Sequence, residues 1–304
     1  MKSIFSFLLI FIFSVTAAWA QEDCTGSSCL PAKVKSDCTI METNGCIDWE
    51  NGVIYATGMG VPNPTFETQA QRTYSAYQAA KTVAMRNLLQ VVEGINITSK
   101  RTVKAGMLED DTINTQISGK IRQVQEASRP RTMNDGSVWV TMKMYMRDII
   151  SILVNNQQFQ FSGGEMFQRE ESAASSMEKE EAEDAGYGGD ESTLYTGLII
   201  DARGAGVTPA MSPKIFDPDG KEVYGSLAVE REFALEHGIV GYVKDIEKAK
   251  SNDRVKGNPL IIKAHRQGDS ESNLLVSEEN AELLRKLDRS QSFLREARVI
   301  VILG

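Results

Sequence analysis

The chain is poor in the residue types from which most catalytic centres are built. It holds two histidines, His237 and His265, and they do not share a metal-ligand spacing. No Gly-x-Ser-x-Gly segment occurs, which removes the nucleophile elbow of an α/β hydrolase. Arg203-Gly204-Ala205-Gly206 follows an apolar run but lacks the full dinucleotide glycine pattern. Pro209 and Pro213 also stand where a phosphate-binding helix would run. The segment reads as a turn. Basic residues are in deficit, 33 against 41 acidic for a net charge of -8, whereas a nucleic-acid partner calls for a basic face. Beyond residue 20 no apolar run approaches the roughly twenty residues needed to cross a bilayer. What survives these absences is chemistry by paired carboxylates, which leaves no local signature. In the C-terminal half, Asp201 with Asp217 or Asp219 is the pair to consider. No cofactor and no metal is expected, and enzymatic activity is not expected.

The first twenty residues are the most informative. Lys2 is followed by an almost unbroken apolar stretch over 4–15 and by Ala18-Trp19-Ala20. This is the order of an export signal, with cleavage expected between Ala20 and Gln21 and delivery to the periplasm. Cys24 is preceded by Gln21-Glu22-Asp23, an unsuitable context for lipidation, so no lipid anchor is expected. The four cysteines, Cys24, Cys29, Cys38 and Cys46, all fall within 23 residues. An even count in an exported segment too short for its own core implies two disulfides. All three pairings stay open. Spacings of four, eight and seven intervening residues fit a zinc site poorly.

Composition then divides the chain. Residues 1–20 are the signal, 21–50 a disulfide-stapled leader, 51–162 a first domain, 163–192 an acidic linker and 193–304 a smaller second domain. In the first domain, residues 52–61 read as a strand closed by Pro62-Asn63-Pro64, with Thr65 placed to cap a helix over 67–93. Tyr74, Tyr77, Ala80, Ala84, Leu88 and Val91 make one apolar stripe on that helix. Core packing is the favoured use of the stripe, with contact between subunits as the alternative. Gly94 is expected to stop the helix. Residues 95–103 read as a strand, 111–127 as a broken helix and 138–146 as a half-buried strand. The expected fold class is therefore α+β, an antiparallel sheet packed on a long helix. The linker holds ten acidic and two basic residues, too little apolar surface to order itself.

The second domain reads as a smaller α/β or α+β unit. Strands are expected over 195–202, 259–264 and 298–303, the last one central because a long apolar edge would aggregate. Helices are expected over 230–236, stopped at Gly238, and over 278–289, capped by Ser277. Asp217-Pro218-Asp219-Gly220 begins like a calcium loop, but Lys221 and Ala228 occupy ligand positions. A hairpin turn is the better reading.

Ala56-Thr57-Gly58-Met59-Gly60, the alanine-rich helix AYQAAKTVAMRNLLQVVEGI and the later Asp135-Gly136-Ser137-Val138-Trp139-Val140 together resemble the Lpp-twenty lipoprotein family, which is similar to the N-terminal domain of flagellar assembly protein T. The resemblance covers residues 50–148, about a third of the chain. It implies a bacterial envelope protein of sheet-and-helix fold without enzymatic activity, some members helping to build rings around the flagellar motor. The missing lipobox departs from that pattern. The expected function is a non-enzymatic periplasmic structural or assembly protein, with flagellum assembly as one setting. It would act on envelope proteins or self-associate into a ring. The alternative is a periplasmic ligand-binding protein or carboxylate-using hydrolase with its site in the C-terminal domain.

Overall fold

The computed structural model describes residues 26–161 and 188–304. The expected export signal, its Ala20–Gln21 junction, Cys24 and most of the acidic linker lie outside the described residues. The N-terminal half runs α1 (Ala32–Asp37), β1 (Ile40–Glu42), β2 (Gly45–Asp48), β3 (Val53–Gly60) and α2 (Gln69–Gly94). It continues through β4 (Asn96–Thr98), β5 (Arg101–Thr102), α3 (Val103–Glu109), α4 (Asp111–Ile121), β6 (Gln125–Glu126), β7 (Arg131–Thr132), β8 (Val138–Tyr145) and α5 (Met146–Asn155). The strands form an antiparallel sheet in the order β1-β2-β3-β8-β6, with β7 also paired to β8. The long helix lies across one face of it. This is the α+β architecture expected, and the sheet also takes in the end of the leader.

What brings helix and sheet together is the absence of side chains between them. A Cβ added at Gly58 would lie 2.2 Å from the backbone nitrogen of Ala84, and one at Gly60 only 1.9 Å from the carbonyl of Ala76. Ala76, Ala80 and Ala84, four residues apart, present the facing stripe and are fully buried. Asn87 Nδ2 donates to the Thr57 carbonyl at 2.7 Å, fixing the helix along the strand. Gly58, Gly60 and the alanine stripe of α2 are thus a backbone-on-backbone contact.

Several local expectations change. Thr68, not Thr65, caps α2: its hydroxyl accepts from Gln71 N and Gln71 Oε1 accepts from Thr68 N. Gln71, three residues on, completes the reciprocal box that Thr65 lacks, and Thr65 instead bonds Asn63. Gly94 does not enter the left-handed region. The helix ends because Ile95 turns extended. Residues 95–103 form a short hairpin, and α3 starts at Val103 under a Thr102 cap. On β8, Val138, Val140, Met142 and Met144 are buried against α2 as expected. The opposite face is partly buried, with Thr141 buried and Trp139, Lys143 and Tyr145 intermediate, and the leader folds back against the sheet on that side. Tyr55 packs there on Leu30, Val34, Cys38 and Cys46, and Arg131 donates to the Cys29 carbonyl. Cys38 and Cys46 are disulfide-bonded to each other; Cys29 is disulfide-bonded as well.

The C-terminal half runs β9 (Leu198–Asp201), β10 (Ile215–Phe216), β11 (Glu222–Tyr224), α6 (Arg231–His237), β12 (Gly241–Val243) and α7 (Ile246–Ser251). Then come β13 (Leu260–Lys263), β14 (His265–Arg266), β15 (Leu274–Leu275), α8 (Glu278–Ser290) and β16 (Val299–Ile302). A parallel sheet has the order β12-β16-β9-β13, and a mixed sheet the order β11-β10-β15-β14. β16 is interior, as its unbroken apolar run requires, and all four of its residues are fully buried. Ser277 caps α8 and Gly238 ends α6, both as expected. The short strand β12 had no distinct sequence signal: three residues are too few to show a period.

The halves meet across a seam and share one continuous apolar core. Met211 N and Ser212 N donate to the carbonyls of Asn96 and Ile97 at 2.9 and 2.8 Å. The Tyr242 ring meets Trp49 edge-on at 5.2 Å, worth about 1 kcal/mol beyond area burial. The Tyr242 hydroxyl also donates to the Ala210 carbonyl and accepts from its N–H. Lys244 Nζ donates to the Cys38 carbonyl at 2.7 Å, and Lys248 pairs with Glu50. The leader therefore touches both halves.

Candidate functional site

Two clefts lie on opposite kinds of surface. The first, of about 480 Å³, runs between the start of α2 and the β7–β8 edge. Gln69, Ala70, Thr73, Tyr74 and Tyr77 line one wall, with Pro130, Thr132 and Val138 opposite. None of these eight residues is charged. Tyr74 is 63% exposed, and Val61 (63%) and Phe66 (39%) are exposed at the same end of the helix. Tyr74 and Tyr77 stack loosely, with centroids 6.4 Å apart. The Tyr77 hydroxyl donates to Glu126 Oε1 at 2.5 Å, a bond that raises its pKa because ionisation would break it. The stripe expected to be core is therefore split. Ala80, Ala84, Leu88 and Val91 are buried, and Tyr74 faces out. The core stripe is instead extended by Ala76, four residues before Ala80.

The second cleft, of about 520 Å³, opens where α8 ends and β16 begins. Arg289, Arg295 and Arg298 line it, with Glu296 as its acidic group and Leu194 and Tyr195 as apolar wall. Arg298 Nε meets Glu296 Oε2 at 2.7 Å, and the Ser292 hydroxyl donates to Glu296 Oε1. The Ser292 bond chiefly, then Arg298, hold the Glu296 carboxyl below the usual range. Asp288 lies near Arg295 and Arg289, and burial pushes its carboxyl up despite both cations. Gln291 fixes the wall: its side chain accepts from Tyr195 N and donates to the Thr193 carbonyl.

The carboxylates singled out in the sequence are each committed elsewhere. Asp201 is gripped by Arg203, Nε to Oδ1 at 2.9 Å and Nη2 to Oδ2 at 2.7 Å. Asp217 is 1% exposed; one oxygen accepts from Lys221 N and the other meets Arg285 on α8. It closes the β10–β11 turn, with Gly220 at φ +77°, and fastens that turn to the helix. Asp219 is exposed and meets Lys221. His265 is exposed. The His237 carbonyl accepts from Arg254, whose guanidinium also donates to the Ala297 carbonyl at 2.7 Å. Among the described residues no group of three or more His, Cys, Asp or Glu could hold a metal ion. Among the same residues no helix is long and apolar enough to cross a membrane. The arginine cleft escaped sequence reasoning because Leu194 and Tyr195 reach it from about a hundred residues away along the chain.

In class, the C-terminal half is a parallel sheet with helices, joined to an antiparallel sheet-and-helix layer. Residues 197–304 match a family model described as Treponema pallidum Tp0624, second domain. The match spans about a third of the chain. No curated protein matches.

Proposed function

We propose that this is a non-enzymatic periplasmic assembly protein of the bacterial envelope, working through protein-protein contacts. Its contact surface is the uncharged aromatic end of α2, and the partner there is a second copy of the chain. The observation that carries this reading is the cleft of Tyr74 and Tyr77 without a charge in its lining, on a chain of net charge -8. Like-charged copies repel over most of their surface, and this face lets them approach. Exposed apolar groups gathered at one end of a helix favour association for the same reason. The resemblance of residues 50–148 to the Lpp-twenty family, some of whose members help to build rings, is in keeping with this reading. Flagellum-associated assembly is one setting that fits.

Light scattering on the purified chain tests it. Association that rises with concentration and is abolished by Tyr74→Glu is the expected result. Tyr74 is mostly solvated, so that change leaves the monomer folded. A strict monomer at the highest soluble concentration, or association indifferent to Tyr74→Glu, would overturn the proposal.

A further inference from the structure

We infer that the arginine cleft of the C-terminal half binds the free carboxylate of an apolar ligand, such as the C-terminus of a peptide. This site is separate from the aromatic end of α2 and does not depend on it.

Three arginines line one cleft in a chain that is acidic overall. Two of them, Arg289 and Arg295, form no ion pair within 4 Å among the described residues, whereas Arg298 is matched to Glu296. Arg289, in the last turn of α8, also complements the helix dipole. That role does not account for Arg295, which lies beyond the helix and whose buried Nε has no hydrogen-bond partner among the described residues. The terminal nitrogens of this guanidinium likewise meet no carboxylate among the described residues, which leaves its charge available to a ligand in the cleft.

The charge balance selects the ligand. Three arginines face Glu296 in the lining and Asp288 beside it, leaving a single positive charge in excess. That suits a monoanion better than a phosphate dianion, which would also meet Glu296 directly. The planar guanidinium fork matches a carboxylate with two parallel hydrogen bonds. The serine hydroxyls of the lining are already donating, Ser290 to main-chain carbonyls and Ser292 to Glu296. Guanidinium groups, with the Tyr195 hydroxyl that accepts from Asp190 N, are thus the side-chain donors left for a ligand. At about 520 Å³ the cleft is in the range of small-molecule sites rather than of a single ion. Leu194, 79% exposed at its rim, and Tyr195 provide the apolar contact.

The test is an NMR titration of the full chain with N-acetyl-Phe-Leu bearing a free carboxylate, beside the same dipeptide amidated and beside inorganic phosphate. Saturable shifts of the amides over 289–298 are expected with the free acid. Amidation should weaken binding about tenfold or more, and Arg289→Ala should do the same. Arg289 is exposed, so its thermal unfolding should match the parent. The inference is overturned by amidated peptide binding as well as the acid, by phosphate binding more tightly, by unaltered affinity in Arg289→Ala, or by no shift at millimolar ligand.

Discussion

The two halves solve the same packing problem in opposite ways. In the N-terminal half, α2 meets β3 through glycine and alanine, and at Gly58 and Gly60 no side chain separates the two backbones. In the C-terminal half, the central strands β9 and β16 are filled with Leu, Ile and Val, all fully buried. One layer is specified by what is missing from its side chains and the other by bulk. A contact of the first kind tolerates no added atom. One of the second kind tolerates small losses, because neighbouring side chains partly relax.

The sharpest way to break this comparison is to exchange the errors. Gly60→Val places side-chain atoms on the Ala76 carbonyl, and we expect a loss of about 3 kcal/mol or more, or failure to fold. Ile200→Val in the other half removes one methylene and should cost about 1 kcal/mol. Urea unfolding of both variants measures the difference. Equal costs would erase the distinction.

A smaller effect is expected from the staple over the second sheet face. Cys38 and Cys46 close a loop with a sequence separation of eight, so replacing both by serine should cost about 2 kcal/mol by loop entropy. Thermal unfolding of Cys38→Ser/Cys46→Ser, with the parent in reductant as control, is the measurement. The loss should leave amide protection in β9 and β16 unchanged while lowering it in β3.

The smallest effect concerns buried carboxylates. Burial holds Asp288 above the usual carboxylate range, although Arg295 and Arg289 oppose the shift. The folded protein then keeps this proton to higher pH than the unfolded chain does. The associated stability is complete in acid and is lost as pH rises through the raised value. Asp288→Asn cannot ionise, so its stability relative to the parent should climb as pH rises from the ordinary carboxylate value through the raised one, and level off above it. Denaturation series at several pH values would show it, and a flat difference would discount the buried carboxylate. Asp48, raised by burial in the other half, contributes with the same sign. Glu296, lowered by Ser292 and Arg298, contributes with the opposite one.

How far the sequence could be read follows the same division. The helix α2, the alternation on β8, the Asp217–Gly220 turn, the Ser277 cap and the interior place of β16 are properties of neighbouring residues, so periodicity and turn chemistry showed them. The outward turn of Tyr74 was hidden because Ala76, not Tyr74, continues the buried four-residue spacing. The leader's return over the sheet and the cleft shared by Leu194 and Arg298 were hidden for a different reason. They join residues whose separation carries no local pattern. The fold was thus largely readable, the clefts much less so.

The contact between Lys244 and the Cys38 carbonyl links positions 206 residues apart, and Trp49 waits almost as long for Tyr242. During synthesis the leader emerges early, but the groups that seat it arrive near the end. Until then the indole has no neighbour on that side. Closure of the seam is therefore a late event, and a chain cut short before residue 241 would present Trp49 to solvent and to any chaperone that reads apolar surface.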